Sequence, residues 1–230
     1  MLGIETSGSI GSVALCDEEE PLASYTFPEG ARHARDIMPA VDRLIREAET
    51  PKGEVDAVAV SEGPGSFTGL RVGVTCAKAL AWALGWKCVG VCSLEVMVQN
   101  VARDECGGGC VVCPVLDARR DRVYGAVFRW DDGWRDTTGV LCVRPQALRE
   151  MLPEGAFVFG SGVGAWREVF ADGRFRVGEE RLQVGRAEQV ARLGAEGVRA
   201  GRDVDPVQLM PRYYRVTSPE EKLAREEADG

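Results

Sequence analysis

The sequence predicts an α/β protein built from two copies of one unit, each a mixed sheet in which a three-stranded antiparallel meander is continued by parallel strands and flanked by helices. Three observations carry this expectation. The chain has 230 residues, enough for one large domain or two small ones. Its 45% hydrophobic and 28% charged residues place it among globular proteins and remove the disordered, collagenous and coiled-coil classes. The third is order: strand, strand, strand, helix, strand, helix, strand reads through the first half and repeats in the second, at a period too long for a solenoid.

In the first half, residues 2–5, 12–16 and 22–27 are short β-prone runs divided by Gly/Ser or acidic turns, the pattern of a meander. Over 31–48, Ile37, Met38, Val41, Leu44 and Ile45 recur at helical spacing, with Pro39 expected near the helix start, where its missing N–H costs least. A strand over 55–61, a long helix over 66–84 and a strand over 88–92 follow. In the second half, 111–116 and 122–128 read as a hairpin, 138–143 as a third strand, 145–152 as a short helix and 156–159 as a strand. Helices over 165–170 and 186–199, with a short strand candidate over 175–177, complete the unit. The stretch 102–109 (ARDECGGG) marks the boundary, giving halves over 1–105 and 106–217, and 218–230 reads as a flexible acidic tail.

The formal net charge of −8 argues against a chain-wide basic face for phosphates, while leaving room for a local patch or a basic partner. Only Lys52, Lys78, Lys87 and Lys222 are lysines; the arginine bias suits forked contacts to carboxylate or phosphate, and equally a GC-rich genome. Lys78 interrupts the longest apolar run, 72–86, short of the ~20 residues of a membrane span, and residues 1–5 lack the features of a signal peptide. A cytoplasmic protein with no membrane partner is expected. Eight cysteines are too sparse for a disulfide scaffold, so free thiols are expected. Cys106, Cys110 and Cys113 suggest a metal cluster at first sight, but along a strand Cys110 and Cys113 point to opposite faces and no fourth ligand lies nearby. Cys113 is expected in the core, and no metal is assigned.

The first hairpin turn, Glu5-Thr6-Ser7-Gly8, can aim N–H groups and hydroxyls at a phosphate while the acid handles a metal or a proton. Asp117 holds the equivalent place in the second half, and a glycine loop with Gly160 and Gly162 follows the strand over 156–159. Two acidic turns and a late glycine loop are the layout of the actin-like (ASKHA) superfamily, whose ribonuclease H-like halves enclose a nucleotide. Taken singly, each turn is equally an ordinary hairpin terminator. Residues 61–73 (SEGPGSFTGLRVG) are not a dinucleotide fingerprint, because Thr68 stands where the third glycine would be, and no lysine follows a glycine, so a Walker A loop is absent. Gly69, Gly73 and Ala77 make a small-residue stripe along the helix, which spacing alone assigns to packing within the chain ahead of a subunit seam.

That string, together with LGIETSGSIGSVAL at the start, HARDIMP over 33–39, Ser93-Leu94-Glu95, Asp117-Ala118-Arg119 and PRYYR over 211–215, resembles the TsaB (YeaZ) family, in order from residue 2 to 215. The resemblance implies an actin-like fold and a non-catalytic partner subunit in making threonylcarbamoyladenosine next to the anticodon of tRNAs that read codons beginning with A. It implies a heterodimer with TsaD, which carries the metal and transfers threonylcarbamoyl from threonylcarbamoyl-AMP, and an ATPase partner, TsaE, in a ternary complex. It also implies tRNA contacted mainly through the complex, and ATP and metal in the partner subunits with no cofactor held tightly here, and it leaves open a homodimer of the isolated chain. On this reading the helix over 66–84 lies at the TsaD interface, with Gly69, Leu70, Gly73, Ala77, Leu80 and His33 as candidate contacts. Glu5, Thr6, Ser7, Asp117, Gly160 and Gly162 become vestigial nucleotide-type turns.

The residues agree with that division of labour. TsaD-type proteins hold metal with two histidines four apart, whereas His33 is the sole histidine and Ile37 stands four residues on, which suits a capping or interface role. The family's usual opening Asp is Glu5 here, one methylene longer, which weakens independent nucleotide chemistry at that turn. Two rivals stay open. One is a self-sufficient kinase with Glu5 and Asp117 sharing magnesium and the Gly160 loop cradling adenosine. The other is a glycoprotease-like peptidase, disfavoured because His33 is the only candidate base and no nucleophile elbow is evident.

Overall fold

The computed structural model describes residues 1–17, 20–28, 33–102 and 109–215, except the side chains of His33 and Ala34. The expected tail over 218–230, Cys106 and most of the boundary stretch lie outside the described residues. Both parities of residue along the first strands are apolar, Leu2 and Ile4 beside Ala14 and Cys16, and such strands need cover on both faces. They obtain it. β1 (Leu2–Glu5), β2 (Ser12–Asp17) and β3 (Glu20–Thr26) form the antiparallel meander, and β4 (Ala57–Gly63) and β5 (Lys87–Cys92) extend it in parallel, in the order β3-β2-β1-β4-β5. Ile4, Val13, Val58 and Val60 face α1 (His33–Glu47) and α2 (Phe67–Leu84). Ala14, Ala59 and Val89 face the other way.

The second sheet has β6 (Val111–Asp117), β7 (Val123–Gly125), β10 (Leu141–Val143), β11 (Phe157–Phe159) and β12 (Arg176–Val177) in the order β10-β7-β6-β11-β12. Its two antiparallel and two parallel pairings fall in the same sequence as in the first sheet. The result is an ASKHA-like α/β fold. An additional hairpin, β8 (Phe128–Trp130) and β9 (Trp134–Asp136), was not expected. β8 keeps the register of β7 along β6, and the break between them falls opposite Pro114, which has no N–H to give the ladder. Along β6, Val111, Cys113 and Val115 enter one core and Cys110 and Val112 another, so the two cysteines do point to opposite faces.

Helices differ from expectation in three places. Pro39 sits in the second turn of α1, not at its start, on an exposed position where the forgone hydrogen bond faces solvent. The helix expected over 165–170 is two short ones, α5 (Ser161–Ala165) and α6 (Arg167–Phe170), after α4 (Pro145–Met151), because Gly160 at φ 112° turns the chain straight from β11 into helix. The short α3 (Ser93–Val98) went unrecognised; it sends Leu94, Met97 and Val98 into the core of the second sheet. Conversely α7 (Ala187–Arg199), late in the sequence, lies across the first sheet, its Val190 packed with Ala59 and Val89. The limits 1–105 and 106–217 therefore divide the sheets but not the helices.

After α7 an extended strap returns along the molecule. Val204 bridges Cys88, the Lys78 ammonium donates to Val207 O at 3.0 Å, Arg212 N donates to Glu62 O at 2.7 Å, and the Arg215 guanidinium donates to Ala118 O at 2.9 Å. It ties the first half to the second. Among the described residues no helix is long and apolar enough to cross a membrane, and the seven described cysteines are free thiols.

Candidate functional site

Glu5 ends β1 with only 1% of its surface exposed. Its carboxylate accepts from Ser7 N at 2.6 Å and from the Ser61 hydroxyl on β4, so the longer side chain reaches the neighbouring strand. Thr6, fully buried, donates its hydroxyl to Gly69 O at 2.8 Å, and Ser66 N donates to Ser7 O at 2.7 Å. The glycines of the next segment make this possible. A Cβ at Gly65 would stand 2.8 Å from that of Ser7, and one at Gly69 or Gly73 would strike the carbonyl or hydroxyl oxygen of Thr6. The small-residue stripe is thus the groove into which the first turn is pressed.

The residues expected at a partner interface lie along this groove. Gly69, Leu70, Gly73, Ala77 and Leu80 are all buried within the chain and offer a partner nothing to touch. Packing within the chain, which spacing favoured, is what the structure shows, although the packed element is a hairpin turn and not a second helix. The His33 backbone opens α1; its side chain is not among those described.

The second acidic turn repeats the local chemistry. Asp117 accepts from Arg119 N at 2.9 Å, the same two-residue reach as Ser7 N to Glu5, and its own N–H donates to the Ser161 hydroxyl at 3.2 Å. Arg119 and Arg120 complete the turn at φ 65° and 58°. Gly160 and Gly162 let α5 close onto β6, since a Cβ at Gly162 would stand 2.6 Å from Val115 Cγ1. A cavity of about 240 Å³ opens beside Gly160, Val163, Gly164 and Glu179. The expected turn residues therefore gather in two clusters, Glu5, Thr6 and Ser7 against α2, and Asp117 against the start of α5. Among the described residues no group of three or more His, Cys, Asp and Glu side chains could hold a metal ion. Burial pushes the Cys92 and Cys113 thiols up to about 12, which leaves them poor nucleophiles at neutral pH.

What sequence reasoning missed is the other side of α2. Trp82 is 80% exposed, with Phe67, Leu84 and, from α1, Met38 also exposed. Cys76 Sγ lies 3.5 Å from Met38 Sδ, joining the two helices. At its upper end Arg71 stands over the Phe67 ring at 4.0 Å and donates to the Tyr213 hydroxyl at 2.9 Å. The signal was available. At about 100° per residue Trp82 falls about 180° from Gly73, so if the glycine side packs inward the tryptophan must face out.

Comparison with known proteins gives one consistent answer. Residues 27–155 match the family model described as TsaD, tRNA N6-adenosine threonylcarbamoyltransferase. The chain is 35% identical over 133 residues to the tRNA threonylcarbamoyladenosine biosynthesis protein TsaB of Bacillus subtilis, a match covering 58% of this chain and 56% of that protein. It is 26% identical over 220 residues to TsaB of Escherichia coli, covering 94% of both. The structure of YeaZ from Pseudomonas aeruginosa superposes with a TM-score of 0.79 at 28% identity, covering 92% of this chain and 98% of that one.

Proposed function

The chain belongs to the TsaB/YeaZ family of tRNA threonylcarbamoyladenosine biosynthesis proteins, related to TsaD, and from that membership we propose that it is a non-catalytic partner subunit that heterodimerises with TsaD in the cytoplasm. TsaD, with its metal, moves the threonylcarbamoyl group from threonylcarbamoyl-AMP to the tRNA adenosine; TsaE joins as an ATPase, and tRNA is held mainly through the complex. The observation that carries this reading is the exposure of large apolar side chains on α1 and α2, Trp82 above all, with Phe67 and Met38. An exposed tryptophan on a helix is a candidate anchor for an interaction surface, because a few aromatic anchors supply most of the binding energy of an interface. The candidate interface thus stays on the expected helix and moves to its opposite side. The isolated chain can cover the same face with a second copy of itself.

Support for the non-catalytic part comes from Glu5, whose carboxylate is already engaged by Ser7 and Ser61 in a buried turn. Co-expression with its own TsaD followed by size-exclusion chromatography tests the reading. A heterodimer is expected from the wild type, and none from Trp82→Glu, with the isolated variant melting as the wild type does. Two separate peaks for the wild-type pair overturn the proposal.

One observation favours a second reading, a nucleotide-dependent kinase: the cavity beside Gly160. Calorimetry of the isolated chain with ATP and Mg²⁺ separates the two. Binding in the micromolar range would favour the kinase, and little or no heat is expected of a partner subunit.

A further inference from the structure

Glu62, Glu95 and Arg212 come from three separate motifs of the sequence, SEGPGSFTG, Ser93-Leu94-Glu95 and PRYYR, and they line one cavity of about 390 Å³. It lies beside β5, the edge strand of the first sheet, walled by α7 on one side and by the strap on the other. Arg202, from the turn after α7, supplies a fourth charge. None of these four takes part in the turns or the helix face described above.

The four charges are not equivalent. Glu62 is 8% exposed, and one of its oxygens receives Arg212 Nε at 2.8 Å, so those two neutralise each other. Gly90 is there because a Cβ would run into the Glu62 carboxylate. Glu95 and Arg202 differ: among the described residues neither side chain makes a hydrogen bond or an ion pair, and Glu95 is half-buried. Burial raises the Glu95 carboxyl, the carboxylates of Asp136 and Glu196 add to the rise, and Arg202 and Arg212 act against it. The walls between them, Val91, Leu193 and Leu209, are apolar.

A cavity with one uncompensated charge of each sign selects its ligand. A simple anion would leave the half-buried Glu95 unpaired, which is costly, and a simple cation would make no use of the exposed Arg202. A molecule carrying both charges a few bonds apart satisfies both. The volume falls at the small end of the ~300–1,000 Å³ typical of ligand pockets, which suits a single residue-sized molecule. We propose that this cavity binds a free α-amino acid with an aliphatic side chain, its ammonium toward Glu95, its carboxylate toward Arg202 and its side chain against Val91 and Leu193. The site goes beyond the partner-subunit reading and does not rest on it.

Titration calorimetry on the purified full chain tests the site, with L-leucine as probe and two analogues that each lack one charge. L-Leucinamide has no carboxylate, and N-acetyl-L-leucine has no ammonium. L-Leucine is expected to bind saturably with Kd of about 1 mM or tighter, and each analogue about tenfold more weakly or worse. Glu95→Gln and Arg202→Gln should each weaken L-leucine binding about tenfold while staying folded by circular dichroism; Arg202 is exposed, so its variant keeps the test open if the other does not fold. Arg199→Gln, at the end of α7 and outside the cavity, should bind as the wild type does. The proposal fails if L-leucine, L-valine and L-methionine all give no saturable heat up to about 10 mM. It fails equally if either analogue matches L-leucine, or if both cavity variants bind normally. Assembly with TsaD is read on a different face, so neither result decides the other.

Discussion

After its fourth strand the first half runs into α2, 18 residues long, whereas the second half makes α5 and α6 at the same place, of five and four residues. Both begin with glycines pressed against an acidic turn. They diverge because α2 continues in Val74, Ala77, Leu80 and Ala81 along one face, while the second half breaks at Trp166, whose backbone leaves helical geometry at φ −128° and ψ 50°. The acids diverge in parallel: Glu5 is 1% exposed, but the Asp117 side chain is 21% exposed and shares its turn with Arg119 and the strap residue Arg215. One strand order thus supports two uses. The first half uses its glycines to bury a turn, which leaves the far side of a long helix exposed. The second uses its own to seat a short helix and receive the strap.

The largest expected effect breaks the first of these uses. Gly73→Leu places a branched side chain against the fully buried side chains of Thr6 and Val60, which have no room to withdraw, so the isolated chain should lose more than about 3 kcal/mol or fail to fold. Gly164→Ala, in the corresponding helix of the second half with nothing near the added methyl, should change stability by less than about 0.5 kcal/mol. Thermal melts of the two variants decide it. A Gly73→Leu chain that melts normally would mean that the stripe does not hold the turn.

Next in size is the far side of the same helix. Trp82→Glu should weaken the heterodimer by about a hundredfold or more, some 3 kcal/mol of binding, without a matching loss in the monomer. Trp130, the exposed tryptophan of the second half, stacks edge-on with Trp134 at 5.1 Å, and Trp130→Ser should leave TsaD affinity unchanged. If Trp130→Ser weakens the complex and Trp82→Glu does not, the partner face belongs to the other half.

Much of this was legible in the residues. Alternating and helical periodicity placed the meander, α1, α2 and the parallel strands, because each is long enough for its pattern to rise above chance. The spacing of Gly69, Gly73 and Ala77 pointed to packing within the chain, which the structure shows, whereas the resemblance named the same buried residues as interface candidates. The hairpin β8–β9 was hidden because Pro114 interrupts the ladder on its partner strand, and α3 because six residues do not complete two helical turns. The exchange of α3 and α7 between halves has no local signature, since an apolar face does not say which sheet it will cover. For the same reason the cavity of Glu62, Glu95, Arg202 and Arg212 could not be assembled from separate motifs that lie far apart along the chain.

The two acidic turns give a smaller contrast. Glu5→Gln keeps shape, but its amide cannot accept from both Ser7 N and the Ser61 hydroxyl as a carboxylate does, so a cost of about 1–2 kcal/mol is expected. Asp117→Asn, in a more open turn, should cost about 0.5 kcal/mol. Both should support near-normal threonylcarbamoyl transfer once assembled with TsaD. A hundredfold loss of turnover in an intact complex would give this subunit a part in the chemistry.

The smallest effect lies in pH dependence, where the halves should show opposite signs. Burial raises the Glu95 carboxyl, Asp136 of the second half adds to the rise, and Arg202 and Arg212 oppose it. A carboxyl raised on folding holds its proton more tightly in the folded chain than in the unfolded one. Its contribution to stability is therefore full below the unfolded value and is lost as pH rises through the folded value. At neutral pH the native protein carries a penalty that glutamine does not, so Glu95→Gln should melt slightly higher than the wild type near pH 7, with the gap closing toward about pH 4. Asp172 is the reverse. The Arg149 guanidinium, hydrogen-bonded at 2.6 Å, and Arg174 N hold its carboxyl below the ordinary range. Its contribution is present above the unfolded value and lost as pH falls through the folded one, so Asp172→Asn should melt lower at neutral pH and converge with the wild type in acid. Melts across that range check both signs at once. Should Glu95→Gln melt lower than the wild type at neutral pH, the two arginines would outweigh burial, and the cavity would already be satisfied by its own charges.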